Sequence, residues 1–404
     1  MTLIDELKNR LVNNIDLSKN MNDEELYSII SHMVMEEYGQ RKVSLKEKLQ
    51  LSKDLFNAIR GLDILQEILE MDEVTEIMIN GYDQIFIEKM GKLYRYEGEF
   101  STPEKLMDVI QTIAARSNKR VNEASPILDT RLSDGSRVNI VLRPVAINGP
   151  VVTIRKFPKT SITMEYLIKS GSITQEAAFF LRQLVINGYN IFISGSTGSG
   201  KTTFLNVLSN YIPKDERIIT IEDSAELQIR QVENLVSLEC RQANVEGENA
   251  ITIRDLIRTS LRMRPSRIIV GEVRGGEALD MLQAMNTGHD GSLSTGHGNS
   301  PQDMLTRLEI MTLMAGEEMP LAAIRSQIAS ALDIMIHLGR LRDGSRKILN
   351  ISQIEGVADG KIRISSLYEY QESGTEKMSD GLKRTGIPLR KIKGQMVDNL
   401  EKVC

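Results

Sequence analysis

The chain has 404 residues, 41% hydrophobic and 26% charged, and its 55 acidic and 50 basic residues leave a net charge of −5. At roughly 150 residues per domain, this length predicts two to three domains, with apolar material for more than one core. The near-balance of charge argues against a chain whose main task is to coat nucleic acid or an anionic membrane. Cys240 and Cys404 are too few for a disulfide framework or a cysteine zinc site, and no apolar run approaches the roughly 18 residues of a membrane span.

In chain order, Leu3, Ile4, Leu7 and Leu11 fall at helical spacing and a second apolar period runs from about Glu24 to Tyr38. A third starts at Ser44, with Glu47 three residues on as a capping box, and stops near Gly61. The pattern predicts a small helical bundle over residues 1–60, in preference to helices that dock on a partner. Asp5, Glu6, Asp16, Asp23 and Glu24 deny the first thirty residues the basic and apolar regions of a signal peptide, so a cytoplasmic chain is expected.

Residues 61–155 change character. Glu76–Asn80, Gln84–Glu88 and Leu93–Tyr96 predict short strands, and Pro103 opens a helix through Arg116. Asp134-Gly135, between Leu128–Leu132 and Arg137–Leu142, predicts a hairpin, and Val151–Phe157 a further strand. This is an α+β domain with a mostly antiparallel sheet. Pro158 and the lack of clear period place a linker over residues 156–172. Residues 173–372 then alternate: helix Gln175–Asn187, strand Asn190–Ser194, helix Lys201–Tyr211, strand Arg217–Ile221, helix Thr252–Met263, strand Arg267–Val270, helix Gly276–Asn286 and strand Ser292–Thr295. Apolar strands alternating with helices predict an α/β domain with a largely parallel sheet covered on both faces. Asp343-Gly344 and Asp359-Gly360 punctuate an antiparallel extension, and the polar residues 373–404 predict a partly loose tail.

The chemistry centres on Gly195-Ser196-Thr197-Gly198-Ser199-Gly200-Lys201-Thr202, with Thr203 behind it. Glycines at this spacing let backbone amides converge on phosphate oxygens, and the following helix aims its positive end at them. Lys201 suits the β- and γ-phosphates and Thr202 a Mg²⁺ ion, so ATP and Mg²⁺ are the expected ligands. Arg267–Val270 is a buried strand followed by Gly271 and Glu272, an acid placed to orient or activate water, with glycine where an aspartate usually helps hold the metal. Glu222 and Asp223, after another strand, could serve the metal instead, or be solvated strand ends. His289 and His297 share one glycine-rich segment. A strand ending in Ser-Thr-Gly-His suits a γ-phosphate sensor, a structural loop histidine is the plainer reading of either, and zinc lacks further ligands close by. Arg254, Arg258 and Arg262 recur along one helix face, with Arg264, Arg267 and Arg274 behind. A nucleic-acid stripe, an interface that lends arginines to a neighbour's phosphate, and a solvated face all fit, though no aromatic lies between Arg254 and Arg274 to stack bases.

Taken in order, GSTGSGKTT, TIEDSAEL, RIIVGEVRGGEALDMLQAMNTGHDG and STGHGNSP resemble the type II/type IV secretion ATPase superfamily, and within it the CpaF-type motors of tight-adherence pili, over about residues 60–355. The resemblance implies a RecA-like P-loop NTPase core behind an N-terminal α+β domain, a homo-hexameric ring, and nucleotide bound between the two domains. It implies that Gly195–Thr203 is the Walker A loop, that Glu222 and Glu226 fall in the Asp box, that Glu272 is the Walker B glutamate and that His289 and His297 form the His box. Arg137 and Arg155, with Arg131 and Arg143 as lesser candidates, match segments whose arginines approach the γ-phosphate. The implied partners are inner-membrane platform proteins and, indirectly, pilin, with assembly or also retraction of a pilus, or protein secretion, as the work. A nucleic-acid translocase is the alternative on the same core; no tryptophan and few aromatics weigh against it. A nucleotide-gated scaffold and a small-molecule kinase fit less well, the first because Glu272 is present.

Overall fold

The computed structural model describes residues 23–38, 44–89, 91–157, 162–241, 248–316, 318–371 and 381–393, which fall in two units, Met1–Thr160 and Ser161–Cys404. The helical spacing of Leu3 to Leu11 lies outside the described residues. In the first unit, α1 (Asp23–Tyr38) packs on α2 (Leu45–Arg60) and buries Leu26, Ile30 and Val34, with the Tyr27 and Phe56 rings edge to face at 5.7 Å. The expected capping box opens α2: the Ser44 hydroxyl accepts from the Glu47 amide, and the Glu47 carboxylate accepts from the Ser44 amide at 2.7 Å.

Behind this pair stand α3 (Ile64–Glu70), β1 (Val74–Asn80), β2 (Ile85–Lys89), β3 (Lys92–Arg95), α4 (Pro103–Arg116), β4 (Ile127–Arg131), β5 (Arg137–Val141) and β6 (Val151–Arg155). The six strands form one antiparallel sheet in the order β3-β2-β1-β6-β5-β4. The period of two is plain in β5 and β6, where Val138, Ile140, Val152 and Ile154 turn inward onto Leu65, Ile68, Leu106 and Ile110 of the helices. Gly135 takes φ +88° in the Asp134-Gly135 turn, a region a Cβ would strain.

The second unit holds α5 (Met164–Lys169), α6 (Gln175–Ile186), β7 (Ile191–Gly195), α7 (Lys201–Ser209), β8 (Ile218–Glu222), β9 (Leu235–Glu239), α8 (Ile253–Ser260), β10 (Arg267–Val270), α9 (Glu277–Asn286), β11 (Leu293–His297), α10 (Pro301–Leu313), α11 (Leu321–Ala331), β12 (Ile334–Arg340), β13 (Arg346–Ala358), β14 (Lys361–Gln371) and β15 (Gly381–Arg384). Its sheet runs β15-β14-β13-β12-β7-β11-β10-β8-β9, parallel from β12 to β9 and antiparallel in the extension. Ile191, Ile193, Ile218 and Ile269 face one apolar layer with α6 and α7, and Phe192, Ile219, Ile268 and Val270 face another with α8 to α11. Burial on both faces explains why these strands read as unbroken apolar runs. This is the RecA-like core, and the α+β domain precedes it in the sequence.

Two expectations need correction. Much of the 156–172 segment is not free linker: Thr163 caps α5, Met164 is buried in the core, and the Ser172 carbonyl accepts from the Ile348 amide at 3.0 Å. Nor is the whole of 373–404 loose. Leu382 is buried, and Lys391 and Lys393 converge on Asp333, whose side chain is 1% exposed; Lys393 Nζ stands 2.7 Å from Oδ2 and Lys391 pairs with Oδ1. Asp333 Oδ2 also accepts from the Asn190 amide at 2.9 Å, at the start of β7. The two cations hold the segment down because a buried carboxylate without them is strongly unfavourable. Replacing both Lys391 and Lys393 by Ala should therefore cost about 3–5 kcal/mol in urea denaturation of the chain, whereas Lys361→Ala on the exposed Asp359–Gly360 turn should cost almost nothing.

Candidate nucleotide site

Four neighbouring parallel strands, β7, β11, β10 and β8, end on one edge of the sheet. Gly195 closes β7, His297 closes β11 directly opposite it, Gly271 and Glu272 follow β10, and Glu222 closes β8. Residues spread over a hundred positions thus meet at the carboxyl ends of the strands, where α/β sheets take their ligands.

The loop from Ser196 to Gly200 joins β7 to α7. Ser196, Thr197 and Gly198 are exposed at its crest and Ser199 is buried below. A Cβ on Gly195 would come within 2.6 Å of both the Leu338 carbonyl oxygen and Ser199 Oγ, so only glycine passes there. Gly198 and Gly200 take φ +73° and +95°. Gly200 is also the N-cap of α7 and offers no side-chain oxygen, so the first amides of the helix stay open to an anion. The Thr202 hydroxyl makes no hydrogen bond among the described residues and Thr203 is next in the helix.

Lys201, 7% exposed, donates from Nζ to the Ser196 carbonyl at 3.0 Å and approaches His297 Nδ1 at 3.1 Å. Burial pushes this ammonium below its ordinary pKa, against the pull of Glu272. Since Lys201 carries only donors, His297 Nδ1 is the acceptor and the imidazole proton sits on Nε2, which stands 2.7 Å from Glu272 Oε1. The other carboxylate oxygen, Oε2, accepts from Arg274 Nη2 at 2.7 Å and Nε at 3.0 Å. Arg274 also lies 4.0 Å from Asp223, and its amide donates to Glu277 at 2.6 Å. A run of close polar contacts therefore leads from the loop through Lys201, His297 and Glu272 to Arg274, the His297–Glu272 step being an ion-pair approach in which Oε1 accepts no hydrogen bond.

Glu222, 4% exposed, accepts from the amides of Glu226 at 2.9 Å and Leu227 at 3.2 Å, and so shapes the segment that carries Glu226. A Cβ on Gly271 would come 2.9 Å from Glu222 Cγ and 3.5 Å from Oε1. Glu222 thus fills the space an aspartate at 271 would need. Among the described residues no three His, Cys, Asp or Glu side chains converge as a metal cage. Thr202 at the head of α7 and Glu222 at the end of β8 offer oxygens of the kind Mg²⁺ takes, an ion that keeps waters and phosphate oxygens and needs only one or two protein ligands.

Other expected site residues fall elsewhere. His289 precedes β11 at its amino end, the opposite edge of the sheet from His297, and its Nδ1 meets the Ala284 carbonyl at 3.1 Å, closing the end of α9. It is a helix-capping histidine within this unit, not a neighbour of the loop. Arg254 and Arg258 do not form a free stripe: both bind Asp280, whose side chain is 5% exposed, at 2.8 and 2.7 Å. Arg267 is buried in a two-pronged pair with Glu216. Arg137 and Arg155 belong to the first unit. They stand directly opposite one another on β5 and β6, with Arg131 opposite Arg137, so the three share the sheet face away from the apolar core. Arg155 is 3.9 Å from Glu76, and Arg143 is exposed after β5. Sequence reasoning missed Arg274 as a partner of Glu272. It also missed His337, which is buried on β12 with its Nδ1 2.9 Å from Ser194 Oγ; only its place in an apolar strand signalled it.

With this geometry in hand, the family model for "Type II/IV secretion system protein" matches residues 59–387. The chain belongs to that family. The conjugal transfer protein TrbB of Rhizobium radiobacter is 32% identical over 313 residues, covering 77% of this chain and 93% of that protein. The type IV secretion system protein PtlH of Bordetella pertussis is 32% identical over 321 residues, 73% of this chain and 95% of that one. The pilus retraction motor PilT, solved with bound ADP, shares the fold: TM-score 0.56 at 21% identity, over 74% of this chain and 83% of that one.

Burial holds the imidazoles of His297 and His337 below their ordinary value of 6.5. Between each folded value and 6.5 the unfolded chain binds a proton that the folded chain does not, so their contribution to stability is full above about 6.5 and is lost as the pH falls. The thermal midpoint should drop between pH 7.5 and 5.5, and His297→Gln with His337→Gln should flatten that slope.

Proposed function

We propose that this chain is an ATP-hydrolysing, homo-hexameric motor of the CpaF type, working at the inner face of the cytoplasmic membrane on a pilus or protein-secretion machine. The observation that carries the proposal is the chain Lys201–His297–Glu272 at an amide-lined loop: a cation for the phosphates, a sensor and a carboxylate base in mutual contact. The loop from Gly195 to Thr203 binds the phosphates, and Glu272 orients and deprotonates the attacking water. His297 passes the occupancy of Lys201's phosphate to Glu272, since an anion that draws Lys201 away also frees Nδ1. Arg137 and Arg155 supply cations against the charge that develops on the transferring phosphoryl group. Thr202 and Glu222 would hold Mg²⁺, which would supply positive charge against the phosphates when bound; Glu226 lines the same edge.

No helix among the described residues is long and apolar enough to cross a membrane. Platform proteins of the machine would provide the attachment, and pilin or a secreted protein would be moved through them. A second reading is work on nucleic acid, favoured by the relative named for conjugal transfer.

The test is the Mg²⁺-dependent ATPase rate of the chain and of Glu272→Gln, each with and without single-stranded DNA. Turnover in the parent, a loss of about 10²–10⁴-fold in the variant with nucleotide still bound, and indifference to DNA are expected. Strong stimulation by DNA would favour the second reading, and absence of turnover even with the platform protein present would overturn the motor. Light scattering with ATP and Mg²⁺ should give six times the chain's 45.4 kDa; a monomer would remove the ring.

A further inference from the structure

The hairpin joining β12 to β13 is written Arg340-Leu341-Arg342-Asp343-Gly344-Ser345-Arg346-Lys347, four cations against one acid. Because β12 runs parallel to β7 with Leu338 opposite Gly195, the hairpin rises past the sheet edge beside the phosphate-binding loop. Two of its cations are spent on the hairpin's own surroundings: Arg340 on the Gly344 carbonyl and Lys347 on the Gly171 carbonyl at 2.7 Å. Arg346 instead reaches the loop. Its Nε donates to the Gly198 carbonyl at 2.8 Å, and its Cδ lies 3.6 Å from where a Cβ on Gly200 would stand. The guanidinium is therefore anchored by one nitrogen across residues 198–200, the residues that open the amide cradle at the head of α7. No described carboxylate pairs with it, and its two Nη groups make no hydrogen bond among the described residues.

A guanidinium held by backbone with its fork unused is a preorganised anion binder. Arg254, Arg258, Arg267 and Arg274 in the same unit are held by carboxylates, whereas Arg346 is held by a carbonyl of the phosphate-binding loop itself. We propose that Arg346 is a nucleotide-binding residue of this chain, its Nη groups taking oxygens of the phosphate chain of a nucleoside di- or triphosphate seated on the loop. The inference rests on the loop being a nucleotide site and adds a cation from outside every motif of that site. Arg346 acts on binding and leaves the chemical step to Glu272, so it raises affinity for ADP and ATP alike.

The experiment is calorimetric binding of ADP and of ATP, with Mg²⁺, to the full chain and to Arg346→Ala, Arg346→Gln, Arg346→Lys and Arg342→Gln, with each variant's fold checked by its circular dichroism and thermal melt. Ala and Gln at 346 should weaken both nucleotides about tenfold or more, the effect expected on losing a charge-assisted hydrogen bond. Lys should recover part of the loss, and Arg342→Gln, which removes an exposed charge from the same hairpin, should bind as the parent does. Unchanged affinity in Ala and Gln would overturn the proposal. So would recovery by Gln alone, which marks a neutral prop on the Gly198 carbonyl, or an equal loss in Arg342→Gln, which marks the field of the hairpin and no contact. A parent that binds neither nucleotide would instead remove the nucleotide-site reading, and this inference with it.

Discussion

An ammonium group buried at the head of a helix is an awkward thing to fold around. The same backbone amides that welcome a phosphate repel Lys201, and burial already pulls its pKa down. The cost is met by two acceptors from opposite sides, the Ser196 carbonyl within the loop and His297 Nδ1 from the neighbouring strand. That second contact orients the imidazole, the imidazole faces Glu272, and Arg274 holds the far oxygen of Glu272. The need to place one cation thus sets the orientation of three further side chains.

The sheet makes this arrangement possible. Parallel strands must be covered on both faces, which leaves their carboxyl ends as the place where loops can carry polar groups without disturbing an apolar layer. The order β7-β11-β10-β8 sets the loop, the histidine, the glutamate and Glu222 side by side. Gly271 belongs to the same logic: its missing side chain makes room for Glu222, so an acid from the next strand stands where an aspartate would otherwise be.

Charges away from this edge do different work. Asp280 with Arg254 and Arg258, Glu216 with Arg267, and Asp333 with Lys391 and Lys393 tie helices, a strand and the segment after β15 to the sheet. Breaking any of them leaves a desolvated charge, which gives each pair a role in holding these elements together.

The sequence alone established the kinds of structure and the kind of ligand. The unbroken apolar runs around Ile191, Ile219 and Ile269, the Ser44–Glu47 box, the Asp134-Gly135 turn and the glycine spacing before Lys201 each report a local rule of backbone or burial, and such rules act over a few residues. It did not reveal α10 and α11, whose apolar faces are interrupted, or β9, whose side chains are half exposed. Nor could it separate His297 from His289, eight positions apart in one glycine-rich segment, since the difference is which end of β11 each occupies. The partners of Arg254, Arg346 and Lys391 were equally hidden. A pairing between residues 26, 148 or 58 positions apart depends on strand order and helix packing, and long-range order of that kind leaves no period in the chain.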